Sequence, residues 1–265
     1  MIDERFARAL HVQTLRRSKL APDHEPHVLF QASTIGALLE GSYDGDLSFA
    51  ELAEHGDLGL GTLNALDGEM IALDGRFYRA DVNGGVAEVD RAAQTPFAVV
   101  VPFSPSIELS LGPGLDQAGM LTRLEAALPA GTAACALRID GEFARVRARS
   151  VPRQEKPYKP LTEVVDQQHV FEFQEIPGTL VGVRFPDYSG EVEVSGFHLH
   201  FISADRRRGG HVLDCEVIQA TAGIDPSSEL RIELPPGVDL SDDHLDFDAA
   251  AAARRVEHRG ALGAT

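Results

Sequence analysis

Apolar and polar residues alternate at every second position through much of this chain, the period of a strand with one buried face. Helical periodicity is sparse. Phe6, Leu10 and Leu15 predict a short helix within residues 1–25 that ends before Pro22. His27–Phe30 reads as a strand and Ser33–Leu39 as a helix. Ser48 and Glu51 make a Ser-x-x-Glu capping box opening a second helix that stops at Gly56. From Asp67 the chain becomes a run of hairpins, because Asp67-Gly68, Asp74-Gly75 and Asn83-Gly84 suit the φ > 0 positions of two-residue turns. Phe97–Val101 is apolar throughout, as in a strand buried on both faces. After Gly112-Pro113-Gly114 a helix is predicted over 116–128, through Met120, Leu121, Leu124 and Leu128. Cys135–Ile139, Asp140-Gly141 and Phe143–Val151 predict another hairpin.

Pro152–Pro160 is rich in proline and polar side chains and is the expected boundary, giving a mixed-sheet half over 1–155 and a β-rich half over 156–265. The second half predicts a short helix over 162–168 and strands at His169–Gln174, Thr179–Phe185, Val217–Thr221 and Leu230–Leu234. An acidic stretch, Asp239–Asp248, and the alanines 249–253 lead into an expected terminal helix. The fold class is α/β in the broad sense, a β-rich α+β chain with two sheet-based halves, mixed or antiparallel strands and a few flanking helices.

One ribbon in this pattern carries candidate chemistry. From Val192 to Ile202, alternation sets Val192, Val194, His198, His200 and Ile202 on one face and Phe197, Leu199 and Phe201 on the other. The return strand sets His211, Leu213 and Cys215 together. If Ile202 lies opposite Gly209, His200 lies directly across from His211, with His198 one pleat along. Three imidazoles in reach of one ion suit zinc, which keeps an open position when the site is catalytic. Half-buried sheet histidines bonded to backbone are the alternative reading of the same spacing.

Composition narrows the partners. A formal net charge of −17 argues against nucleic acid or an anionic membrane surface. Cys135 and Cys215 imply no disulfide framework, and Cys215 reads as a small packed hydrophobe. No apolar signal-peptide core opens the chain and no run reaches the ~18 apolar residues of a membrane span, so a cytoplasmic protein is expected. Glu69 alternates onto the face of Ile71 and Leu73, where a carboxylate must be paired, metal-bound or protonated unless it lies at an exposed strand end. Arg145, Arg147 and Arg149 form a stripe that is either solvated or a clamp for a substrate carboxylate. Thr62, in Gly59-Leu60-Gly61-Thr62, can offer a hydroxyl from a glycine-rich turn, but that segment lacks the third glycine of a dinucleotide fingerprint.

Several stretches resemble the α-acetolactate decarboxylase family. They are Tyr43-Asp44-Gly45, His55–Thr62, Leu66–Ile71, Asp74–Tyr78, Thr95-Pro96-Phe97, Arg149–Pro152, Gln154–Tyr158, Gly196–Ile202 and Gly209–Asp214. The resemblance runs from about residue 28 to 235. It implies zinc on His198, His200 and His211, with catalytic roles for Glu69, Arg149 and Glu257, and substrate binding by Thr62 and Arg149. It also implies a homodimer acting on 2-acetolactate to release (R)-acetoin and carbon dioxide, through an enediolate stabilised by the metal. Two other readings compete on the bare residues. A cupin-like metal-dependent oxygenase also uses H-x-H but wants a glutamate near position 204, where the chain has Ala204 and then Asp205. A non-enzymatic β-rich protein with a structural zinc would need a fourth protein ligand.

Overall fold

The computed structural model describes residues 10–16, 24–190, 192–234, Ala252 and Val256. It is a strand-rich α+β fold built on two sheets. Helices are few and short: α1 (Ile35–Leu39), α2 (Phe49–Leu52), α3 (Gln117–Ala127) and α4 (Leu161–Val164). Their starts follow local chemistry. Thr34, Ser48 and Asp116 each cap with a side-chain oxygen, and Ser48 with Glu51 completes the capping box.

The first, eight-stranded sheet contains β1 (His11–Arg16), β2 (Val28–Ala32), β4 (Leu58–Thr62), β5 (Glu69–Leu73), β6 (Arg76–Ala80), β7 (Val86–Glu88), β9 (Ala98–Val101) and β16 (Glu229–Leu234). Its order is β1-β16-β2-β9-β4-β5-β6-β7. Two short strands, β3 (Leu47–Ser48) and β8 (Gln94–Thr95), pair beside it. The second sheet holds β10 (Ile107–Leu111), β11 (Leu115–Asp116), β12 (Ala134–Ser150), β13 (His169–Phe185), β14 (Gly196–Ser203) and β15 (Gly209–Ser227). Here β12 pairs with β13, β13 with β14, β14 with β15 and β15 back with β12, so four long strands close on themselves. Both sheets draw strands from either side of residue 155.

One side of this closed ribbon packs Phe143, Val146, Leu199, Phe201, Cys215 and Val217 under α3. The other faces β4 and β5 of the first sheet, across a core that includes Leu60, Ile71, Val181 and Ile202. The candidate site residues Thr62, Glu69, Arg149, His198, His200 and His211 lie in that seam.

Several expectations change. The helix predicted within residues 1–25 is, over its described part, strand β1, parallel to β16; pairing with β16 overrides a weak helical spacing. Asp140-Gly141 is not a turn. β12 runs through it as one 17-residue strand, and a Cβ on Gly141 would lie 2.3 Å from the Gln219 carbonyl oxygen. The glycine is there for close strand approach rather than for a bend. The two strands expected at 169–174 and 179–185 are likewise one strand, β13. Gly59–Thr62 is strand β4, not a turn. Residues 192–195 precede β14 instead of opening it. Of the expected terminal helix only Ala252 and Val256 are described, both helical.

A β-bulge also separates Cys215 from His211. Val212 pairs with Ala148 but Asp214 with Arg147, so β15 carries one extra residue there. The slip turns Cys215 to the face opposite His211, into the core beneath α3. Burial there pushes its thiol up to about 12.

Candidate metal centre and adjoining cavity

The hairpin register is the one that alternation predicts: His200 pairs with His211, Phe201 with Gly210 and Ile202 with Gly209. His198, His200 and His211 are all buried, their ring centroids 5.0–5.3 Å apart. One ligand nitrogen from each lies within 4.8 Å of the others. His200 donates Nδ1–H to the Met70 carbonyl of β5 at 2.8 Å, which leaves its Nε2 as a lone pair. Nitrogens about 2.0–2.1 Å from a tetrahedral zinc lie about 3.3 Å apart, and the Nε2 atoms of His198 and His200 are 3.3 Å apart. The donor set therefore fits a divalent cation that favours imidazole.

Around the trio, the seam opens as a small cavity lined by Thr62, Glu69, Arg149 and the three histidines. Glu69 enters from β5, 8% exposed, with Oε2 3.6 Å from His200 Nε2. Arg149 comes from β12, directly paired with His211, and is 4% exposed. Its Nη1 is 3.9 Å from Glu69 Oε1, and Nη2 donates to the Val256 carbonyl at 3.3 Å. Thr62 lies across from Glu69 on β4 and gives its hydroxyl proton to the Gly68 carbonyl at 2.9 Å, so its oxygen meets the cavity as an acceptor. Ile35, Leu38, Phe97 and Leu161 supply apolar wall. The arrangement can bind a small anion beside a cation, with a carboxylate at hand for proton transfer and little room for bulk water.

The other sequence candidates fall elsewhere. Glu257 lies outside the described residues. Arg145 is spent on Asp214, at 2.5 Å, and faces Glu172 at 3.6 Å. Arg147 is half-buried on the same strand and does not line the cavity. Asp205 sits exposed at the hairpin tip, accepting from Ser203 Oγ at 2.6 Å and the Arg207 amide at 3.1 Å. Sequence reasoning passed over Glu193, which is fully buried, with Oε1 3.9 Å from His198 Nδ1. Strict alternation from Val192 turns that side chain away from the histidines. The signal against alternation was Gly196, whose φ of +90° breaks the extended run.

Comparison with known proteins gives a consistent family. The alpha-acetolactate decarboxylase family profile matches residues 29–246. The alpha-acetolactate decarboxylase of Methylococcus capsulatus is 46% identical over 235 residues, 88% of this chain and 90% of that protein. That of Methanosarcina mazei is 42% identical over 90% of this chain and 84% of its own length. The crystal structure of alpha-acetolactate decarboxylase from Bacillus subtilis strain 168 superposes with a TM-score of 0.82 at 36% identity, covering 87% of this chain and 99% of that one.

Proposed function

The chain belongs to the α-acetolactate decarboxylase family of carboxy-lyases, and from that premise we propose that it converts 2-acetolactate to (R)-acetoin and carbon dioxide using zinc on His198, His200 and His211. One observation carries the proposal: three buried imidazoles, a buried carboxylate and a buried guanidinium line a single cavity of a chain with this family membership.

The substrate bears a carboxylate and a hydroxyl on one carbon and a ketone on the next. Departure of carbon dioxide leaves an electron pair that the ketone accepts as an enediolate. Zinc, held by His198, His200 and His211, would supply Lewis acidity to the oxygens where negative charge develops. Arg149 holds the carboxylate through its fork and keeps the breaking bond along the ketone π system. The Thr62 oxygen accepts from the substrate hydroxyl. Glu69 then delivers a proton to one face of the enediolate, which sets the product's handedness; Glu257 is the alternative donor. Ile35, Leu38, Phe97 and Leu161 limit water, which strengthens each of these contacts.

The proposal includes a homodimer acting in the cytoplasm, which light scattering and cell fractionation test. The activity itself is tested by incubating the purified protein with racemic 2-acetolactate and resolving the product by chiral gas chromatography. (R)-acetoin formed with an equal amount of carbon dioxide is the expected result; a protein inert toward acetolactate overturns the assignment.

A further inference from the structure

We infer that Glu193 is a positioning residue for the cation: its carboxylate keeps the proton of His198 on Nδ1, so that Nε2 presents its lone pair to the metal. The inference rests on the reading of the trio as a metal site, and it goes beyond the ligands to the group behind one of them.

Glu193 is fully buried, an expensive place for a carboxylate unless it has a task. Its surroundings hold it in place. The Gln31 side chain donates to the Val192 carbonyl at 2.6 Å, and the Ile35 amide donates to the same oxygen at 3.2 Å. The Ser189 hydroxyl donates to the Glu193 carbonyl at 2.8 Å. The carboxylate Oε1 accepts the Val194 amide at 2.8 Å, and the same oxygen faces His198 Nδ1 at 3.9 Å. That gap is longer than a hydrogen bond; binding of the cation would have to close it, as long hydrogen bonds in empty functional sites commonly do. The opposite tautomer would set an imidazole lone pair against a carboxylate oxygen with no proton between them. His198 Nε2, meanwhile, is the atom next to His200 Nε2.

The two imidazoles are therefore set from behind in different ways. His200 uses a backbone carbonyl, whereas His198 faces a buried side-chain carboxyl group. Outer partners of this type contribute roughly 10- to 100-fold to metal affinity.

Zinc affinity, measured by competition with a chromogenic chelator, tests the inference on the full chain. Glu193→Gln, which keeps the shape and the acceptor to Val194, should bind zinc about 10-fold more weakly, and Glu193→Ala up to about 100-fold more weakly. With zinc saturating, KM for acetolactate should stay near that of the parent, a split that general loosening of the fold would not give. A parent that binds no zinc overturns the metal assignment together with this inference. A parent that binds zinc while both variants bind it equally well overturns this inference alone. If neither variant folds, long-range proton–nitrogen NMR of the zinc-loaded parent decides. Protonated Nδ1 and metal-bound Nε2 on His198 are expected; metal on Nδ1 refutes the assignment.

Discussion

Replacing Arg149 with methionine keeps the length of the buried stem and removes the guanidinium fork. The size of the effect follows from how little of that fork the protein itself uses. The side chain is 4% exposed, yet its protein contacts are a 3.3 Å bond to the Val256 carbonyl and a 3.9 Å approach to Glu69. Among the described residues its Nε has no hydrogen-bond partner. Toward the described residues most of its donor capacity is thus unused. A charge-assisted contact of about 3 kcal/mol corresponds to about 100-fold in rate. We therefore expect Arg149→Met to lower kcat/KM by about 100-fold, with zinc content unchanged and a thermal midpoint within a few degrees of the parent. Arg149→Lys restores the charge without the fork, so it should recover only part of the loss. Initial rates of acetoin formation, normalised to metal content, provide the assay. A kcat/KM for Arg149→Met within about threefold of the parent would show that substrate binding does not use the guanidinium, and the carboxylate-clamp reasoning would fail.

Glu69→Gln should lower turnover by about 100-fold or more while leaving bound zinc intact; normal turnover would move proton delivery to another group. His55 is stacked on Phe30 with ring centroids 3.9 Å apart, and burial holds its pKa below the ordinary value. The unfolded chain therefore takes up a proton that the folded state resists, so stability falls as pH drops below about 6.5. In His55→Phe the difference in urea midpoint between about pH 7.5 and about pH 5.5 should narrow, and an unchanged difference would count against this origin. Gly141→Ala should cost roughly 1–3 kcal/mol or more, because its Cβ meets the Gln219 carbonyl oxygen at 2.3 Å, whereas Gly112→Ala, with open space around it, should be near neutral. Equal urea midpoints for the two variants would refute the packing argument.

The hairpin register that the sequence predicts is set by short-range geometry. His200 meets His211 because two alternating strands join through a short loop. Gly209 and Gly210 let the return strand come close enough: a Cβ on Gly209 would sit 2.7 Å from the Phe201 carbonyl oxygen. The Ser48–Glu51 capping box is equally local. What escaped depends on partners distant in sequence. Asp140-Gly141 has turn chemistry, but β12 stays extended there because β13 and β15 pair on both sides, with Asp140 accepting the Thr179 hydroxyl at 2.7 Å. Arg149 reaches the histidines, and Arg147 does not, through a β12–β15 register broken by a bulge that no local pattern announces. Glu193 follows from a chain path held by Gln31 and Ser189 rather than from alternation.

In the proposed enzyme His198, His200 and His211 hold one divalent cation on which turnover depends. Elemental analysis of metal per chain, alongside the rate of acetoin formation before and after dialysis against a chelator, decides this dependence. About one zinc per chain is expected, with a rate lost with the metal and regained when zinc is returned, and neither metal nor activity in the triple alanine variant. Undiminished turnover by metal-free protein would contradict it.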